Sequence, residues 1–433
     1  MAISPSDSAD LTASLLLSYA RDHVVHLLVI AVLAAYPGIY AIAVNSPLSA
    51  QAVAVLPRVE TMVAVLYFGL FAISFDFVSG YTGYLSFGHT MFYGAGAYLV
   101  VLTANGKIPF LSASTPFVLL LVLCGLLAVI LALLVGVVSF RLSGVYFAMI
   151  TLGFSQVLYV FVRDWNYLGS NPRDGVAVTG RTAGFEIGIP GVDSASLAIG
   201  QLTGDTAELL GVVTLTTAEV SYYMVGLVVL ICYFAMQRVI HSPFGRTLIA
   251  IRENEERARA IGYNTFYYKL GAFAISAFFA GTAGGLFAGY RRSVTPESGF
   301  YFLTTGDALL ASIIGGFGTL AGPLYGHLFD ESVREFLSKA GSGGGLLPYL
   351  RSNLGQGTLE TVIYNGMTIG ESIDVFLNGR AALYVGIVFV LFVLYVPNGL
   401  LGTVRGRLNG TVAKGFPMWF RQRLPDRDSD QSR

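Results

Sequence analysis

Long apolar stretches separated by short polar segments run along most of this 433-residue chain. A helix needs about 20 mostly apolar residues to cross a bilayer, so each long stretch predicts a transmembrane helix. Eight candidate spans follow from this rule: 24–45, 60–78, 86–104, 116–140, 143–162, 220–239, 269–290 and 381–400. We therefore expect an all-α polytopic membrane protein with about 8 to 10 transmembrane helices.

The apolar interval 305–330 differs from the others because glycines and a proline interrupt its middle. The interrupting residues are Gly315, Gly316, Gly318, Gly322 and Pro323. A broken helix at membrane depth survives only where protein or a cavity covers the backbone groups that the break frees. The interval therefore predicts either a re-entrant pair of half-helices or two short spans.

The composition supports a membrane setting and excludes several classes of protein. Hydrophobic residues make up 54% of the chain and charged residues only 12%, whereas an average soluble domain has roughly 25% charged residues. A formal net charge of zero gives no indication of a nucleic-acid partner. Cys124 and Cys232 lie in apolar stretches, which predicts two small hydrophobic side chains rather than a disulfide or a metal site.

The basic residues are concentrated in two segments, and this asymmetry predicts the orientation in the membrane. The first group contains Arg238, Arg246, Arg252, Arg257, Arg259 and Lys269, and the second contains Arg405, Arg407, Lys414, Arg421 and Arg423. Short loops rich in lysine and arginine stay in the cytoplasm. Both segments are expected on the cytoplasmic side of the cell (inner or plasma) membrane. Counting the spans back from Arg238 places the N-terminus on the same side.

This orientation divides the chain into parts. We expect an N-terminal cytoplasmic tail at 1–22, a transmembrane domain at 23–402 and a basic cytoplasmic tail at 403–433. Within the transmembrane domain, 239–268 is expected in the cytoplasm. The polar segments 163–219, which is β-like in composition, and 331–380 are expected outside the cell. They would cap the outer mouth, bind a partner or serve as ordinary connecting loops.

A charged helix is predicted within the cytoplasmic segment. Ser242 followed by Pro243 is a favourable helix start, and Gly262 is a favourable stop. Helical spacing gives this helix one apolar face and, on the opposite face, ion pairs four residues apart. The apolar face comprises Phe244, Leu248, Ile251, Ala258 and Ile261, and the pairs are Glu253 with Arg257 and Glu255 with Arg259. The pattern predicts a short helix held at the membrane surface.

No catalytic or metal-binding motif is visible. The chain lacks the phosphate-binding pattern G-x-x-x-x-G-K-[ST], the nucleophile elbow G-x-S-x-G, and the motifs H-E-x-x-H and C-x-x-C. Its five histidines, at positions 23, 26, 89, 241 and 327, lack ligand spacing. We therefore expect no catalytic residue, no cofactor and no metal, which indicates a function other than that of an enzyme.

The stretch 75–100 carries polar residues that are unusual in so apolar a chain. Ionisable groups at membrane depth are costly unless they pair or face a cavity, so they mark a candidate substrate pathway. The candidate pathway residues are Asp76, Tyr84, Ser86, His89 and Thr90. The alternative is that the stretch serves close helix packing, for which its glycines are suited. These glycines are Gly80, Gly83, Gly88, Gly94 and Gly96.

Six stretches of the chain together resemble one family. They are SGYTGYLSFGHTMFYGAGAY at 79–98, RLSGVYFAMITLGFSQV at 141–157, SPFGRTLIAIRENEERARAIGYN at 242–264, KLGAFAISAFFAGTAGGLFAGY at 269–290, GGFGTLAGPLYG at 315–326 and VPNGLLG at 396–402. In this order they resemble the permease subunits of branched-chain amino acid ABC importers, and among these the M-type subunit. Close relatives in that family import urea or short amides, so those substrates stay open alternatives.

The resemblance implies partners and a mechanism. Family members pair as two membrane subunits, bind two cytoplasmic ATP-binding subunits and receive substrate from an extracytoplasmic solute-binding protein. By that resemblance the second membrane subunit is a homologue, ATP is hydrolysed in a separate chain, and residues 242–264 form a coupling segment that contacts the ATPase. The positions that match the family pattern best are Gly245, Arg246, Ala250, Ile251, Arg252, Glu253, Glu256, Ala258 and Gly262.

Two other classes of protein remain alternatives. A stand-alone secondary transporter would carry paired intramembrane charges, for which only Asp76 and Asp307 are candidates. A membrane-embedded enzyme would need clustered catalytic residues, and none is visible. The chain also departs from the family at 168–175, where relatives carry a Thr-Gly-Gly run, and through insertions near 184–219 and 339–378.

Overall fold

The computed structural model describes most of the apolar part of the chain. The described residues are 24–45, 56–112, 115–169, 171–179, 213–338, 356–364, 367–377, 381–396 and 399–403, with short strands between 184 and 209 and the single positions 346, 349 and 354. The tails predicted at 1–22 and beyond 403 lie outside these residues, as do parts of both insertions.

Helices dominate the described residues. They are α1 (Val24–Val44), α2 (Val59–Thr82), α3 (Thr90–Ala104), α4 (Phe117–Ser139), α5 (Val145–Arg163), α6 (Thr217–Ile240), α7 (Pro243–Glu253), α8 (Glu255–Ala260), α9 (Thr265–Arg291), α10 (Pro296–Phe300), α11 (Phe302–Gly315), α12 (Gly322–Ser338), α13 (Gln356–Leu359), α14 (Ile369–Leu377) and α15 (Ala381–Tyr395). Two 3₁₀ turns lie at Asn166–Leu168 and Pro172–Asp174. By length and apolar composition, six described segments could span a membrane: α2, α4, α5, α6, α9 and Leu383–Thr403, which overlaps α15. The predicted all-α polytopic architecture is confirmed.

Helices α2 and α9 form the centre of the protein. In an apolar stretch of 18 residues from each helix, 83% of the residues are buried in α2 and 72% in α9, against 28% in α5. Helix α9 packs against α2, α3 and α4. Glycine permits this approach, because a Cβ at Gly284 would overlap the backbone carbonyl of Tyr93 in α3. The outward faces of α4, α5 and α6 carry exposed apolar side chains, which suits contact with lipid.

Helix α3 begins at Thr90, later than the predicted span 86–104. Helix α2 ends at Thr82 because Gly83 adopts a left-handed backbone conformation with φ of 77°, which residues with a side chain rarely adopt. An irregular segment and a turn at 87–89 then precede α3. With 15 residues, α3 is roughly 22 Å long, shorter than the ~30 Å hydrocarbon core of a bilayer.

The glycine-rich interval 305–330 forms two helices joined by a tight connection. Helix α11 ends at Gly315 and α12 begins at Gly322. The two helices pack closely, since a Cβ at Gly326 would overlap the carbonyl oxygen of Ala311. The predicted break is confirmed, and α12 continues to Ser338, beyond the predicted interval. We call residues 316–321 the glycine loop.

Short antiparallel strands lie in the polar segments, as the β-like composition of 163–219 predicts, and one further strand, β7 (Ser293–Val294), lies between α9 and α10. The strands are β1 (Val176–Ala177), β2 (Gly184–Glu186), β3 (Val192–Asp193), β4 (Ser196–Ala198), β5 (Ala207–Leu209), β6 (Val213–Leu215), β7 (Ser293–Val294), β8 (Val362–Tyr364) and β9 (Met367–Thr368). The pairs are β1 with β7, β2 with β4, β5 with both β3 and β6, and β8 with β9. The side chain of Asn105 donates to the Ala177 carbonyl at 2.9 Å, which ties β1 to the end of α3.

Candidate functional site

Helix α7, the first part of the coupling segment, starts as its sequence predicts. The Ser242 hydroxyl accepts a hydrogen bond from the backbone N–H of Gly245, and Pro243 occupies the first helical position. Gly245 lies against the preceding turn, where a Cβ would overlap the carbonyl oxygen of Ile240. Glycine therefore allows the chain to turn sharply between α6 and α7.

The coupling segment is interrupted at Asn254, which corrects the prediction of one continuous helix. Asn254 is extended, with φ of −162° and ψ of 103°, and its side-chain oxygen accepts a hydrogen bond from the Arg257 N–H at 2.8 Å. Asn254 thereby caps a second helix, α8. The break separates Glu253 from Arg257, so the predicted pair is not formed, and Glu253 contacts Arg252 at 3.1 Å instead.

Helix α8 ends at glycine, as predicted. Gly262 has φ of 96°, a conformation in which a side chain would be strained. The Tyr263 N–H donates to the Ala258 carbonyl at 3.2 Å, and the Gly262 N–H donates to the Arg259 carbonyl at 2.9 Å. This pair of bonds is a Schellman motif, which satisfies carbonyl groups at the end of the helix.

One face of the coupling segment packs against the rest of this chain. Leu248, Ile251 and Ala258 are buried, as the predicted apolar face requires, but Ile261 is 69% exposed. Ile261 follows the last turn of α8, and the break at Asn254 prevents α8 from continuing the face of α7. The prediction for Ile261 was therefore wrong.

The opposite face of α7 is exposed. Arg246, Ala250 and Glu253, at positions i, i+4 and i+7, form this exposed stripe. Of the nine positions matched to the family pattern, Gly245, Ile251 and Ala258 are buried within this chain and the other six are exposed. The coupling segment thus presents one face to its own membrane helices and leaves another free for a partner.

Charged and polar side chains connect α8 to the membrane helices. The Glu255 carboxylate accepts hydrogen bonds from the Tyr84 hydroxyl at 2.7 Å and the Lys269 ammonium at 2.8 Å. It also accepts from Arg259 at 2.6 Å, the predicted pair, and from Thr265 at 2.9 Å. The Lys269 ammonium donates to the Tyr84 oxygen at 2.9 Å as well. We call these five residues the Glu255 cluster.

The Glu255 cluster keeps its carboxylate charged. Burial raises the pKa of Glu255, but hydrogen bonds from Lys269 and Tyr84 outweigh it and lower the pKa to about 2. Burial and the hydrogen bond to Glu255 raise the pKa of Tyr84, so its hydroxyl stays protonated. Because the Lys269 side chain is only 3% exposed, an ammonium without its carboxylate would be costly there. The pair therefore holds α8 against α9.

A second junction lies near the end of α2. The Arg252 guanidinium donates to the Gly80 carbonyl oxygen at 2.7 Å. A Cβ at Gly80 would come within 2.7 Å of the Cα of Gly318 in the glycine loop. The Gly318 N–H in turn donates to a carboxylate oxygen of Asp76 at 3.0 Å. We call these four residues the Gly80 junction, where a shift of α7 must displace either α2 or the glycine loop.

A cavity separates the coupling segment from the end of α2. Its volume is about 380 Å³, and it is lined by residues 251–256 on one side and by Thr82, Gly83, Tyr84 and Gly144 on the other. The contacts of the Glu255 cluster and the Gly80 junction therefore cross an incompletely packed boundary. Such a boundary leaves room for the coupling segment to move.

His89, a candidate pathway residue, lies among the helices. Its ring is fully buried, and Nε2 lies 3.3 Å from the Ser74 hydroxyl in α2 and 3.1 Å from the Ser276 hydroxyl in α9. The rings of Phe71 and Phe92 pack beside it. Among the described residues, Nδ1 has no hydrogen-bond partner. His89 thus joins the start of α3 to both central helices.

The other candidate pathway residues occupy separate places. Thr90 Oγ1 donates to the Gly299 carbonyl at 2.9 Å, and its N–H donates to Thr305 Oγ1 at 3.0 Å, which ties α3 to α10 and α11. Ser86 is buried, and its hydroxyl has no partner in the described part of the chain. Asp76 belongs to the Gly80 junction and Tyr84 to the Glu255 cluster. Their role as pathway residues stays a prediction.

Residues 58–343, from just before α2 to beyond α12, match the model of a known family. Its description is the permease component of the branched-chain amino acid transport system. The chain belongs to this family. The matched region contains the coupling segment, the Glu255 cluster, the Gly80 junction and the glycine loop.

Individual relatives carry permease names. The high-affinity branched-chain amino acid transport system permease protein LivM of Escherichia coli (strain K12) is 29% identical over 268 residues, which are 60% of this chain and 59% of that protein. The protein of the same name from Salmonella typhimurium is 29% identical over 264 residues, with the same coverage. A probable branched-chain amino acid transport permease protein LivM of Methanocaldococcus jannaschii is 25% identical over 304 residues, 63% of this chain and 80% of that protein. The chain thus spans about three fifths of its two bacterial relatives, and no solved structure matches it.

Sequence patterns do not reveal several polar residues of this site. The pattern of basic residues uses Lys269 only as an indication of orientation, and no motif marks Glu255 or Thr265 as a site residue. The usable signal was a lysine at the start of the long apolar stretch 269–290, because a charge there needs a partner. The identity of that partner was not visible, since 14 residues separate Glu255 from Lys269 and no helical spacing relates them.

Proposed function

We propose that this permease is the membrane subunit of an ATP-binding-cassette importer, and that it forms half of the pathway for branched-chain or similar small aliphatic amino acids. One observation carries the proposal. The coupling segment is attached by the Glu255 cluster and the Gly80 junction to the two central helices, while its opposite face stays exposed. Family membership and the names of the relatives support the substrate class.

The energy would come from another chain. Because the sequence contains no phosphate-binding loop, ATP would be bound and hydrolysed by two cytoplasmic subunits. The exposed stripe of Arg246, Ala250 and Glu253 would lie in a groove of one of them, in the manner of a helix docked in a groove. The buried face would then pass movement of the ATPase to α2, α9 and the glycine loop.

The rest of the assembly follows from the same proposal. A second, homologous membrane subunit would complete the pathway, and an extracytoplasmic solute-binding protein would deliver the substrate. The coupling segment and both tails would face the cytoplasm, in keeping with their basic residues. ATP binding would shift the population between outward-open and inward-open arrangements, and Asp76, Ser86, His89 and Thr90 would line or gate the path in the assembled dimer.

The exposed stripe gives the sharpest test of this proposal. Ala250→Trp places a large side chain in the middle of the stripe and leaves the buried face of α7 unchanged. We expect the tagged variant to fold but to lose the ATPase subunit that co-purifies with the unchanged protein, together with substrate-stimulated ATP hydrolysis. Ser143→Trp, in the exposed turn before α5, is the matched control and should retain both.

Quantitative mass spectrometry of the purified complex and an ATPase assay supply the measurements. A full complement of ATPase in Ala250→Trp, with normal stimulation by leucine, would overturn the proposed role of the coupling segment. Uphill transport by the purified chain alone would overturn the importer assignment and favour a secondary transporter. Stimulation by urea in place of leucine would replace the proposed substrate class.

A further inference from the structure

A second cavity lies at the far end of the protein from the coupling segment. It has a volume of about 250 Å³ and is lined by residues of α2, α3, α9, α10, α11 and α12. Residues 269 to 291 of α9 separate the Glu255 cluster from the rim of this cavity, a helical rise of roughly 33 Å. We call it the outer cleft.

One wall of the outer cleft is aromatic. It contains Tyr67 and Phe68 of α2 and Phe287 of α9, and the rings of Tyr67 and Phe287 lie 5.6 Å apart. The volume lies just below the range of roughly 300–1,000 Å³ typical of pockets for drug-sized ligands. The cleft is therefore suited to a small solute with an apolar portion.

The rest of the lining is charged with both signs. Arg334 donates to Asp330 at 2.8 Å and lies 3.4 Å from Asp307, so its charge is already balanced by two carboxylates. Arg291 and Glu331 also line the cleft, and no ion pair joins either of them to another described residue. Arg291 is hydrogen-bonded to the Tyr67 hydroxyl, and Glu331 interacts at longer range with Arg334 and Arg291. A positive and a negative group thus face one small space without a direct ion pair.

A buried histidine also faces this space. His327 lines the cleft and is only 7% exposed, and its ring lies 4.4 Å from that of Phe68. Its Nδ1 has no hydrogen-bond partner among the described residues. Buried polar atoms in native proteins almost always have a partner, supplied by protein, ordered water or a ligand. The atom itself has almost no accessible surface, so His327 contributes its ring to the lining of the cleft rather than a hydrogen bond to an occupant.

We propose that the outer cleft binds the substrate as a zwitterion, an α-amino acid with a short aliphatic side chain. Arg291 binds the carboxylate, Glu331 with Asp307 binds the ammonium group, and the aliphatic side chain packs on the aromatic wall. The inference rests on the proposed function, and it adds the place in this chain where the substrate is held and the charge state that is recognised.

Other small solutes match the cleft less well. A simple anion would meet the carboxylates of Asp307, Asp330 and Glu331, and a simple cation would meet Arg291. A neutral urea would pair ionically with neither Arg291 nor Glu331 and would leave the aromatic wall uncovered. A zwitterionic amino acid matches the positive group, the negative group and the aromatic wall at once. Its carboxylate pairs with Arg291 and its ammonium with the carboxylates, so both of its charges are bound.

Direct binding of tritiated L-leucine tests the proposal. The full chain, with the partner subunits that co-purify with it, is placed in lipid nanodiscs without any solute-binding protein. We expect Arg291→Gln and Glu331→Gln each to weaken binding by roughly tenfold or more, the scale of losing a hydrogen bond to a charged group. The matched controls are Arg173→Gln and Glu297→Gln, which remove exposed charges outside the cleft, and they should bind like the unchanged protein.

Competition identifies the charge state that is recognised. Unlabelled leucine should displace the label, whereas 4-methylpentanoate, which lacks the ammonium, 3-methylbutylamine, which lacks the carboxylate, and urea should not. Equal binding by the cleft variants and their controls, or displacement by urea or by a singly charged analogue, would overturn the inference. If leucine transport is intact in those variants, the proposed function survives that result. An assembly that does not transport leucine, and whose ATP hydrolysis leucine does not stimulate, would instead refute the proposed function.

Discussion

Glu255 and Lys269 are two charged residues in a chain where charges are scarce, and each needs the other. The Lys269 ammonium lies 4.4 Å from the centre of the Tyr84 ring and 5.7 Å from that of Phe140, so aromatic side chains surround it. Separating the pair would leave this buried ammonium without its carboxylate, which is the costly outcome for a buried charge. The pair therefore fixes the position of α8 on α9 more strictly than apolar packing would.

The first prediction concerns the stability that this pair provides. We expect Glu255→Gln to lower the thermal midpoint of the purified protein, because it leaves the Lys269 ammonium, 3% exposed, without a carboxylate. Removing one partner of a buried pair costs about 3–5 kcal/mol, and the 21% exposure of Glu255 places the loss near the lower value. The double variant Glu255→Gln/Lys269→Met should recover part of it, because neither charge is then left alone.

Thermal unfolding in detergent measures this effect. Glu253→Gln is the control, because that side chain is 69% exposed and, among the described residues, its ion pair is with its neighbour Arg252. Substitutions at such surface positions usually stay within about 0.5 kcal/mol. If Glu255→Gln lowers the thermal midpoint no more than Glu253→Gln does, the pair does not hold the segment in place. The same follows if the double variant is less stable than both Glu255→Gln and Lys269→Met alone.

The same carboxylate predicts a pH dependence. The pKa of Glu255 is about 2 in the folded protein, below its ordinary value of 4.5. Folding therefore stabilises the ionised form, and this contribution is complete above the unfolded pKa and is lost as the pH falls from about 4.5 towards 2. We expect the difference in thermal midpoint between the unchanged protein and Glu255→Gln to shrink over this interval. It should be constant at neutral pH, and a difference that persists unchanged to the lowest pH would contradict the lowered pKa.

At the scale of elements, helix ends were predicted well where local chemistry decides them. Ser242, Pro243 and Gly262 act through bonds to their near neighbours, and the structure uses them as predicted. Asn254 was missed because an asparagine followed by two glutamates is compatible with both a helix cap and a helix interior. In the structure the break is accompanied by the contact of Glu255 with Lys269, which no local pattern reveals.

The candidate pathway residues show the same limit. Hydropathy singles out polar residues in an apolar chain, and all five of those chosen are buried or partly buried. Their neighbours depend on how helices pack, which is set by the close approach of glycines such as Gly80 and Gly284 to other backbones. Close helix packing is one of the two interpretations that the sequence allows for the glycines of the stretch 75–100, but it does not identify the backbone that each glycine approaches.

A prediction at this scale concerns the Gly80 junction. Arg252→Ala removes the hydrogen bond between α7 and the Gly80 carbonyl. It keeps all three side chains of the exposed stripe that is proposed to contact the ATPase, although Glu253 loses its exposed ion pair with Arg252. We expect the ATPase to remain bound while its stimulation by substrate falls roughly fivefold or more, the scale of ordinary coupling free energies. Arg141→Ala, an exposed arginine in the turn before α5, should leave stimulation unchanged. Loss of the ATPase from Arg252→Ala would instead make this residue part of the docking face.

At the scale of the whole molecule, α2 and α9 connect two ends with different chemistry. One end holds the Glu255 cluster and the Gly80 junction, and the other holds the outer cleft. Hydropathy predicted the fold class because burial of long apolar segments in lipid dominates the free energy of such a chain. It could not predict which side chains from separate helices form each end, because those contacts depend on tertiary packing.

The glycine loop lies at the same end of the molecule as the coupling segment. Helix α11 has 14 residues and α12 has 17, lengths of roughly 21 and 26 Å, so neither is long enough for a straight crossing of a ~30 Å core. Their connection nevertheless lies at the coupling end, because Gly318 contacts Gly80 and Asp76 there. Gly399, in the motif after α15, packs against Gly316, which brings the end of that helix to the same place.

We therefore expect the glycine loop and the coupling segment to be reached from the same side of the membrane. Phe317→Cys, at a position that is 47% exposed, should react with a membrane-impermeant maleimide from the same side as Ala250→Cys, and Glu297→Cys should react from the other side. The native Cys124 and Cys232 are buried and should contribute little background. If Phe317→Cys instead labels together with Glu297→Cys, the loop opens to the side of the outer cleft, and the Gly80 junction cannot carry movement from the coupling segment into the membrane.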